Sequence, residues 1–307
     1  MASNKWWDSK TLAVVTGANK GIGFEVVRQL AENGFSVVLT ARDVDRGLMA
    51  TKTLQEQGVS NVVFHQLDIQ SPHSVLELAK WLKDNYGGLD ILVNNAAVLG
   101  IVSINKMEYD PSNLYNLTSN PSLNKLSVTN YEMSKTCFET NYYGTKSLVE
   151  ALLSMFRSSF AGSCIVNVSS ESGLLQWLNN DSLRLELSDD SKIIEELIDK
   201  MLQSFLEDIK GGDIIEKSWP YFFPQYSLSK LALNSYTRLL ARKFSTNKDG
   251  KMISINNVHP GLVQTNISNN NGDLTASQGV DNVVKVVMFP PNGPSGQFYH
   301  MKKIHHF

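Results

Sequence analysis

Short apolar and β-branched runs alternate with stretches of helical periodicity through the first half of the chain. Residues 11–16, 36–40, 61–66 and 90–93 read as strands, and the pattern resumes at 163–169 and 252–258. Runs such as Leu12-Ala13-Val14-Val15 and Ile91-Leu92-Val93 are apolar without a break, as in strands buried on both faces. Strand and helix in alternation predict βαβ units. The expected fold is therefore α/β, a doubly wound parallel sheet of Rossmann type with helices on both faces.

Two stretches interrupt this rhythm. Residues 99–130 are rich in Asn, Ser and Pro with weak periodicity, and predict a loop excursion. Residues 171–225 form a second interruption, and within it 189–210 carry Ile193, Ile194, Leu197, Ile198, Met201, Leu202, Phe205 and Leu206 every three or four positions. That spacing predicts an amphipathic helix. The expected organisation is one domain over residues 1–307, with a helical lid insertion at about 175–220.

The turn after the first strand, Thr16-Gly17-Ala18-Asn19-Lys20-Gly21-Ile22-Gly23, runs directly into a helix. Such a turn lets backbone approach a pyrophosphate and aims helix N-terminal N–H groups at it. Gly17, Asn19, Lys20, Gly21, Ile22 and Gly23 are thus candidate cofactor residues, although three glycines can equally make a plain tight turn. The second strand ends in Leu39-Thr40-Ala41-Arg42-Asp43. A dinucleotide site for NAD usually carries a carboxylate there for the ribose 2′-hydroxyl, whereas NADP brings a 2′-phosphate to be neutralised. Ala41 occupies the acid position, and Arg42 with Lys20 offers positive charge instead, which predicts NADP(H). Asp43 reads as the cap of the next helix, with a contact to the ribose as the alternative.

Composition narrows the partners. The formal charge of −2 gives no broad basic field, so nucleic acid is not expected. No run of about 20 apolar residues exists and the start lacks an apolar signal segment, so no membrane association is expected and the cytosol is the expected location. The two cysteines, Cys137 and Cys164, stand in no metal-ligand spacing and read as buried apolar residues.

TGANKGIG from Thr16, Asn94-Asn95-Ala96-Ala97, Asn167-Val168-Ser169-Ser170, Tyr226-Ser227-Leu228-Ser229-Lys230 and His259-Pro260-Gly261-Leu262-Val263-Gln264-Thr265 follow one another along the chain. In this order they resemble the short-chain dehydrogenases/reductases, over nearly the whole length. VVTGANKGIGFE, VVFHQLD, the long insertion before Tyr226 and PSGQFY are similar to a plant group of monomeric enzymes that includes menthone and salutaridine reductases. The resemblance implies Ser170 as the residue that orients a substrate carbonyl, with Ser169 as the neighbouring alternative. It implies Asn141 as the holder of a water for proton relay with the lysine, where bonding within a helix kink is the competing reading. It further implies Asp68 and Ile69 beside the adenine, Asn94 and Ala96 along the ribose and diphosphate, and Pro260, Gly261, Val263 and Thr265 at the nicotinamide. The usual NNAG of the family has become NNAA, which puts a methyl group at Ala97 where glycine is the rule.

Tyr226 and Lys230 are four residues apart, so on a helix they share one face. A free phenol with a pKa of about 10 is a poor acid–base group near neutrality. A neighbouring ammonium and an oxidised nicotinamide both favour the phenolate, so both side chains are expected against the cofactor. Leu174, Trp177, Tyr221, Phe222 and Phe223 bracket the insertion and predict an apolar substrate pocket; anchoring of the lid to the core would use the same residues. The expected activity is NADPH-dependent reduction of a hydrophobic ketone, terpenoid-like or alkaloid, to a secondary alcohol. Its alternatives are a broad carbonyl reductase for aldehydes, quinones or enones, and a non-catalytic dinucleotide-binding regulator. If the inserted helix covers the surface that relatives use to dimerise, the protein is a monomer.

Overall fold

The computed structural model describes residues 5–101, 129–157, 162–212, 217–220, 223–245, 252–268, 270, 272–290, 292–300, 303–305 and 307. Most of the excursion at 99–130 lies outside them, as do Tyr221 and Phe222. An eight-stranded sheet runs in the order β3-β2-β1-β4-β5-β6-β7-β8. Its strands are β1 (Leu12–Val15), β2 (Ser36–Ala41), β3 (Val62–Gln66), β4 (Ile91–Asn94), β5 (Ser163–Val168), β6 (Ile253–His259), β7 (Phe298–His300) and β8 (Lys303–His305). Only the β7–β8 pair is antiparallel. The first six strands agree with the sequence reading to within a residue or so at each end. The last two were not anticipated, because three-residue strands at a sheet edge are too short to show alternation.

Helices α1 (Gly21–Glu32), α2 (Val44–Glu56) and α9 (Ala276–Val287) belong to one face of the sheet. The other face carries α3 (Pro72–Tyr86), α4 (Tyr131–Phe138), α5 (Thr145–Leu152) and α8 (Pro224–Ser245). Two apolar cores result, one on each side. Every residue of β1 and β4 is buried, as their unbroken apolar runs require. Asp43 accepts from the Arg46 amide at 2.9 Å and so caps α2 as expected. Both cysteines are buried and unpaired. No described helix is long and apolar enough to cross a membrane.

The insertion is helical: α6 (Asp181–Ser188) is followed by α7 (Glu195–Gly211). The predicted helix therefore begins later than its periodicity suggested. The Asp189 carboxylate accepts from both the amide and hydroxyl of Ser191, at 3.0 and 2.7 Å, and holds a turn there. Ile193 is buried from the extended lead-in to α7, while Ile194, its N-cap, stays exposed. The apolar face of α7, with Ile198, Met201, Leu202, Phe205 and Leu206 buried, packs on α4 and α8. Glu195 pins its start through Lys146 and Lys243, each at 2.7 Å. Phe205 meets Phe138 and Trp219 edge-on at 5.8 and 5.5 Å. Gly212 closes the helix in the left-handed region, φ 82°.

Truncating Phe205 removes the aromatic bridge between the insertion and α4. Phe205→Ala is expected to lower unfolding stability by about 3–5 kcal/mol, read from the urea midpoint at unchanged slope; a loss under about 1 kcal/mol would mean that the insertion is not part of the cooperative core.

Candidate active site

The strand order reverses between β1 and β4, which are parallel neighbours although β2 and β3 intervene in sequence. At such a switch point the loops leaving two parallel strands diverge and open a crevice. Here the Thr16 hydroxyl accepts the amides of Asn95 and Ala96, at 2.9 and 3.0 Å, and stitches the two loops together. Asn95 Nδ2 donates to the carbonyls of Thr16 and Gly17 at 2.9 and 3.1 Å. The approach leaves no room for side chains. A Cβ on Gly17 would stand 2.8 Å from Ala96 Cα, and one on Gly23 would stand 2.4 Å from Asn95 Nδ2. Gly17 and Gly21 also adopt φ of 61° and 59°, where side chains are strained.

A cleft of about 460 Å³ extends from this crevice. The N-terminal loop of α1 contributes Gly17, Asn19, Lys20, Gly21 and Ile22, and the end of β2 contributes Arg42. Asp68 and Ile69 line it after β3, Ala96 and Ala97 after β4, and Ser169 and Ser170 after β5. Tyr226 and Lys230 enter from α8; Pro260, Gly261, Val263 and Thr265 enter after β6. The sequence motifs, scattered over the chain, thus meet in one place.

Several side chains stand elsewhere. Asn94 does not line the cleft: it is buried and donates to Asn167 at 2.8 Å. Asn94, Asn167 and Asn257 are register partners across β4, β5 and β6, and Thr237 joins the last two at 2.8 Å each. This ladder pairs most of its polar groups inside the sheet, leaving Asn94 Oδ1 buried without a partner. Gly23 serves the close packing of the loop and is also absent from the wall. Asn141 sits in a π-helical turn, Glu139–Gly144. Its side chain accepts from the Val98 amide at 2.8 Å, and donates to the Val98 carbonyl and Ser229 Oγ, both at 2.9 Å. The carboxamide therefore acts within the helix kink, fastening the chain after β4 to α8, and does not face the cleft. Asp68 does not cap α3, a role taken by Ser71.

Ser169 and Ser170 separate cleanly. Ser169 Oγ donates to Asn234 Oδ1 at 2.6 Å and is buried. Ser170 Oγ accepts from the amide of Ser172 at 3.2 Å and stands 3.0 Å from its hydroxyl. Directly afterwards Gly173 lies so close to α8 that a Cβ would meet the Lys230 carbonyl carbon at 2.6 Å. This descent onto the helix buries Leu174 and Leu175. Leu174 and Trp177 are not among the residues that line this cleft. Phe223 does line it, from a φ of 42° just before α8. Ala97 is not among the described non-glycine residues with positive φ, so alanine costs no backbone strain there. Asn95 and His259 are cleft residues that the sequence reading passed over. Both lie inside the quoted motifs, which was the signal available.

Lys230 Nζ donates to the Val168 carbonyl at 2.9 Å and lies 5.6 Å from the centroid of the Tyr226 ring. Burial pulls its pKa from 10.5 down to about 8, slightly opposed by Cys137. Burial likewise pushes His259 down to about 3, with His300 and Lys230 adding to the effect, so its imidazole is neutral. At the far end Lys20 and Arg42 are exposed cations. The arrangement offers an anion cradle at one end and a hydroxyl–ammonium pair at the other. A dinucleotide fits it: Gly17 and Gly21 leave the backbone bare, and Thr265 Oγ1 on the wall is buried without a partner.

Comparison with known proteins agrees with this geometry. Residues 11–181 match the short chain dehydrogenase family. Short-chain dehydrogenase/reductase 1 of Saponaria officinalis is 43% identical over 294 residues, 94% of each chain. The structure of salutaridine reductase from Papaver somniferum superposes with a TM-score of 0.84 at 39% identity, covering 94% of this chain and 99% of that one. Menthone neomenthol reductase from Mentha piperita gives 0.81 at 35% identity, with 94% and 97% covered.

The depressed pKa of Lys230 has a consequence for stability. Between about 8 and 10.5 the unfolded chain holds this proton and the folded protein does not, so folding gains as pH rises through that window and carries the full desolvation cost below it. Relative to Lys230→Met, the native protein should therefore become more stable between about pH 7.5 and about pH 10, measured by urea unfolding of both. A constant difference would show that Lys230 keeps its ordinary pKa.

Proposed function

The chain belongs to the short-chain dehydrogenase/reductase family, an oxidoreductase family, and we propose that it reduces a hydrophobic ketone to a secondary alcohol with NADPH. The observation that carries this reading is the convergence of Tyr226, Lys230 and Ser170 on one cleft whose opposite end holds Lys20 and Arg42. Arg42 and Lys20 would hold the 2′-phosphate, since two cations there favour a dianion through charge-assisted hydrogen bonds. The bare backbone of Gly17 and Gly21 would take the pyrophosphate at the start of α1. Asp68 and Ile69 would flank the adenine, and Ala96, Pro260, Gly261, Val263 and Thr265 the ribose and nicotinamide. When bound, NADPH supplies the hydride.

The remaining chemistry belongs to the chain. Ser170 donates a hydrogen bond to the carbonyl oxygen, which is strongest once that oxygen carries negative charge. Tyr226 gives its phenolic proton to the same oxygen. The ammonium of Lys230 stabilises the phenolate left behind and lowers the cost of giving the proton up. Asn141 acts by position, fixing Val98 and Ser229 and through Ser229 the Tyr226 carbonyl, which accepts from Ser229 Oγ at 2.7 Å. The wall also carries Val98, Leu99, Phe223, Leu262 and Ile267, which suits an apolar ketone. Solved relatives named for menthone and for salutaridine support a terpenoid-like substrate first and an alkaloid ketone second.

Tyr226→Phe should retain NADPH binding while turnover falls about 10²–10⁴-fold, seen as loss of NADPH absorbance with cyclic terpenoid ketones; undiminished turnover would remove Tyr226 from the mechanism. Arg42→Glu should weaken NADPH by about tenfold or more, the worth of a charged hydrogen bond, and leave NADH little changed in fluorescence titrations. Equal losses for both cofactors would contradict the 2′-phosphate role.

A further inference from the structure

One cluster beside the cleft has no part in the reduction. His259 ends β6 and His300 ends β7, and the two are register partners on adjacent parallel strands. Their rings meet edge-on with centroids 5.0 Å apart. Glu171, the residue after Ser170, reaches both: its carboxylate lies 2.5 Å from His300 Nδ1 and 3.8 Å from His259 Nε2. One ligand atom from each of the three falls within 4.8 Å of the other two.

We propose that Glu171, His259 and His300 form a zinc(II)-type cation site at the edge of the cofactor cleft. Nitrogen and oxygen ligands bind zinc at about 2.0–2.2 Å in a tetrahedron, so the ligand atoms stand ~3.3 Å apart. The ligand atoms now lie within 4.8 Å of one another, so side-chain adjustments of up to about 1.5 Å bring them to that spacing, the Glu171–His300 pair opening as the Glu171–His259 pair closes. Two imidazoles and one carboxylate, with the fourth position left to water, make a donor set suited to zinc. Magnesium and calcium require six or more oxygen ligands, which this cluster does not offer.

The scaffold holds the donors before any cation arrives. Parallel pairing fixes both histidines on one side of the sheet. Glu171 opens a short 3-10 turn, Glu171–Gly173, that is seated on α8 through the close approach of Gly173 to Lys230. The three side chains are 33%, 14% and 17% exposed for Glu171, His259 and His300 respectively, partly shielded yet open to entry. An ion there would tie the serine turn to β6 and β7.

The test uses the full-length protein, stripped with a chelator and titrated with Zn²⁺ against a chromophoric zinc indicator, with thermal melts in parallel. One equivalent is expected to bind at micromolar or tighter affinity and to raise the midpoint of unfolding, because ligand bound to the folded state alone stabilises it. Glu171→Gln and His300→Ala should each weaken binding at least tenfold and abolish the rise. Glu171→Gln, nearly isosteric, decides the matter if His300→Ala does not fold. Absence of binding below about 100 Kd-equivalents of a micromolar site, or equal affinity in wild type and Glu171→Gln, overturns the proposal. Neither readout involves turnover, so its failure leaves the reductase reading intact, and an inactive protein would still report on the site.

Discussion

Parallel pairing of β1 with β4, closed at its end by the Thr16 hydroxyl, is the constraint on which the site depends. The two strands leave the sheet side by side and turn in opposite directions, and the crevice between them exists only because their loops are held at hydrogen-bonding distance. Gly17 and Gly23 are demanded by the same contact, since each faces the other loop at less than a side chain's distance. The left-handed turn at Gly17 and Gly21 then presents the start of α1 to the crevice. The residues proposed for the cofactor, after β1, β2 and β3, and those proposed for the chemistry, on α8, meet because the strands all end on one edge.

A second layer of interactions holds the reactive end. Gly173 lets the turn after β5 settle on the backbone of α8, so Ser170 and Lys230 are located by the same packing. Ser169 and Asn234 close the gap from below, and Asn234 also donates to the Gly173 carbonyl at 2.9 Å. The π-helical turn at Asn141 connects this unit to the loop after β4. Such insertions in a helix are costly enough to be rare and recur at functional sites. Lys230, buried with a single backbone acceptor in hand, carries a desolvation cost that the rest of the fold must offset. The active-site end is thus built from polar groups bonded largely to one another, with Asn94 Oδ1, Gln225 Oε1, His259 Nδ1 and Thr265 Oγ1 buried without a protein partner.

The inserted segment has a structural part to play. Its long helix is amphipathic and buries its stripe on α4 and α8, the helices that carry Cys137 and the Tyr226–Lys230 pair. It therefore stiffens the support of the site from behind, while Phe223 at its end reaches the cleft. The helix starts at Glu195 because a turn at Asp189 intervenes, and a periodicity count cannot distinguish a buried residue in such a turn from one in the helix itself.

The sequence by itself determined the first six strands of the sheet, the glycine turn and the shared helical face of Tyr226 and Lys230. Unbroken apolar runs have few alternatives to buried parallel strands, and a four-residue spacing on a helix sets two side chains on one face whatever surrounds them. Which neighbouring side chain faces the cleft was decided only by the tertiary structure. Asn94 turned into a ladder with Asn167 and Thr237, Asn141 fastened Val98, and Leu174 packed down onto the core beside α8. Each of these depends on partners far away in sequence, to be met only when the sheet has closed. The Glu171, His259 and His300 cluster belongs with them, since its members come from three distant segments and share no spacing that a linear pattern could reveal.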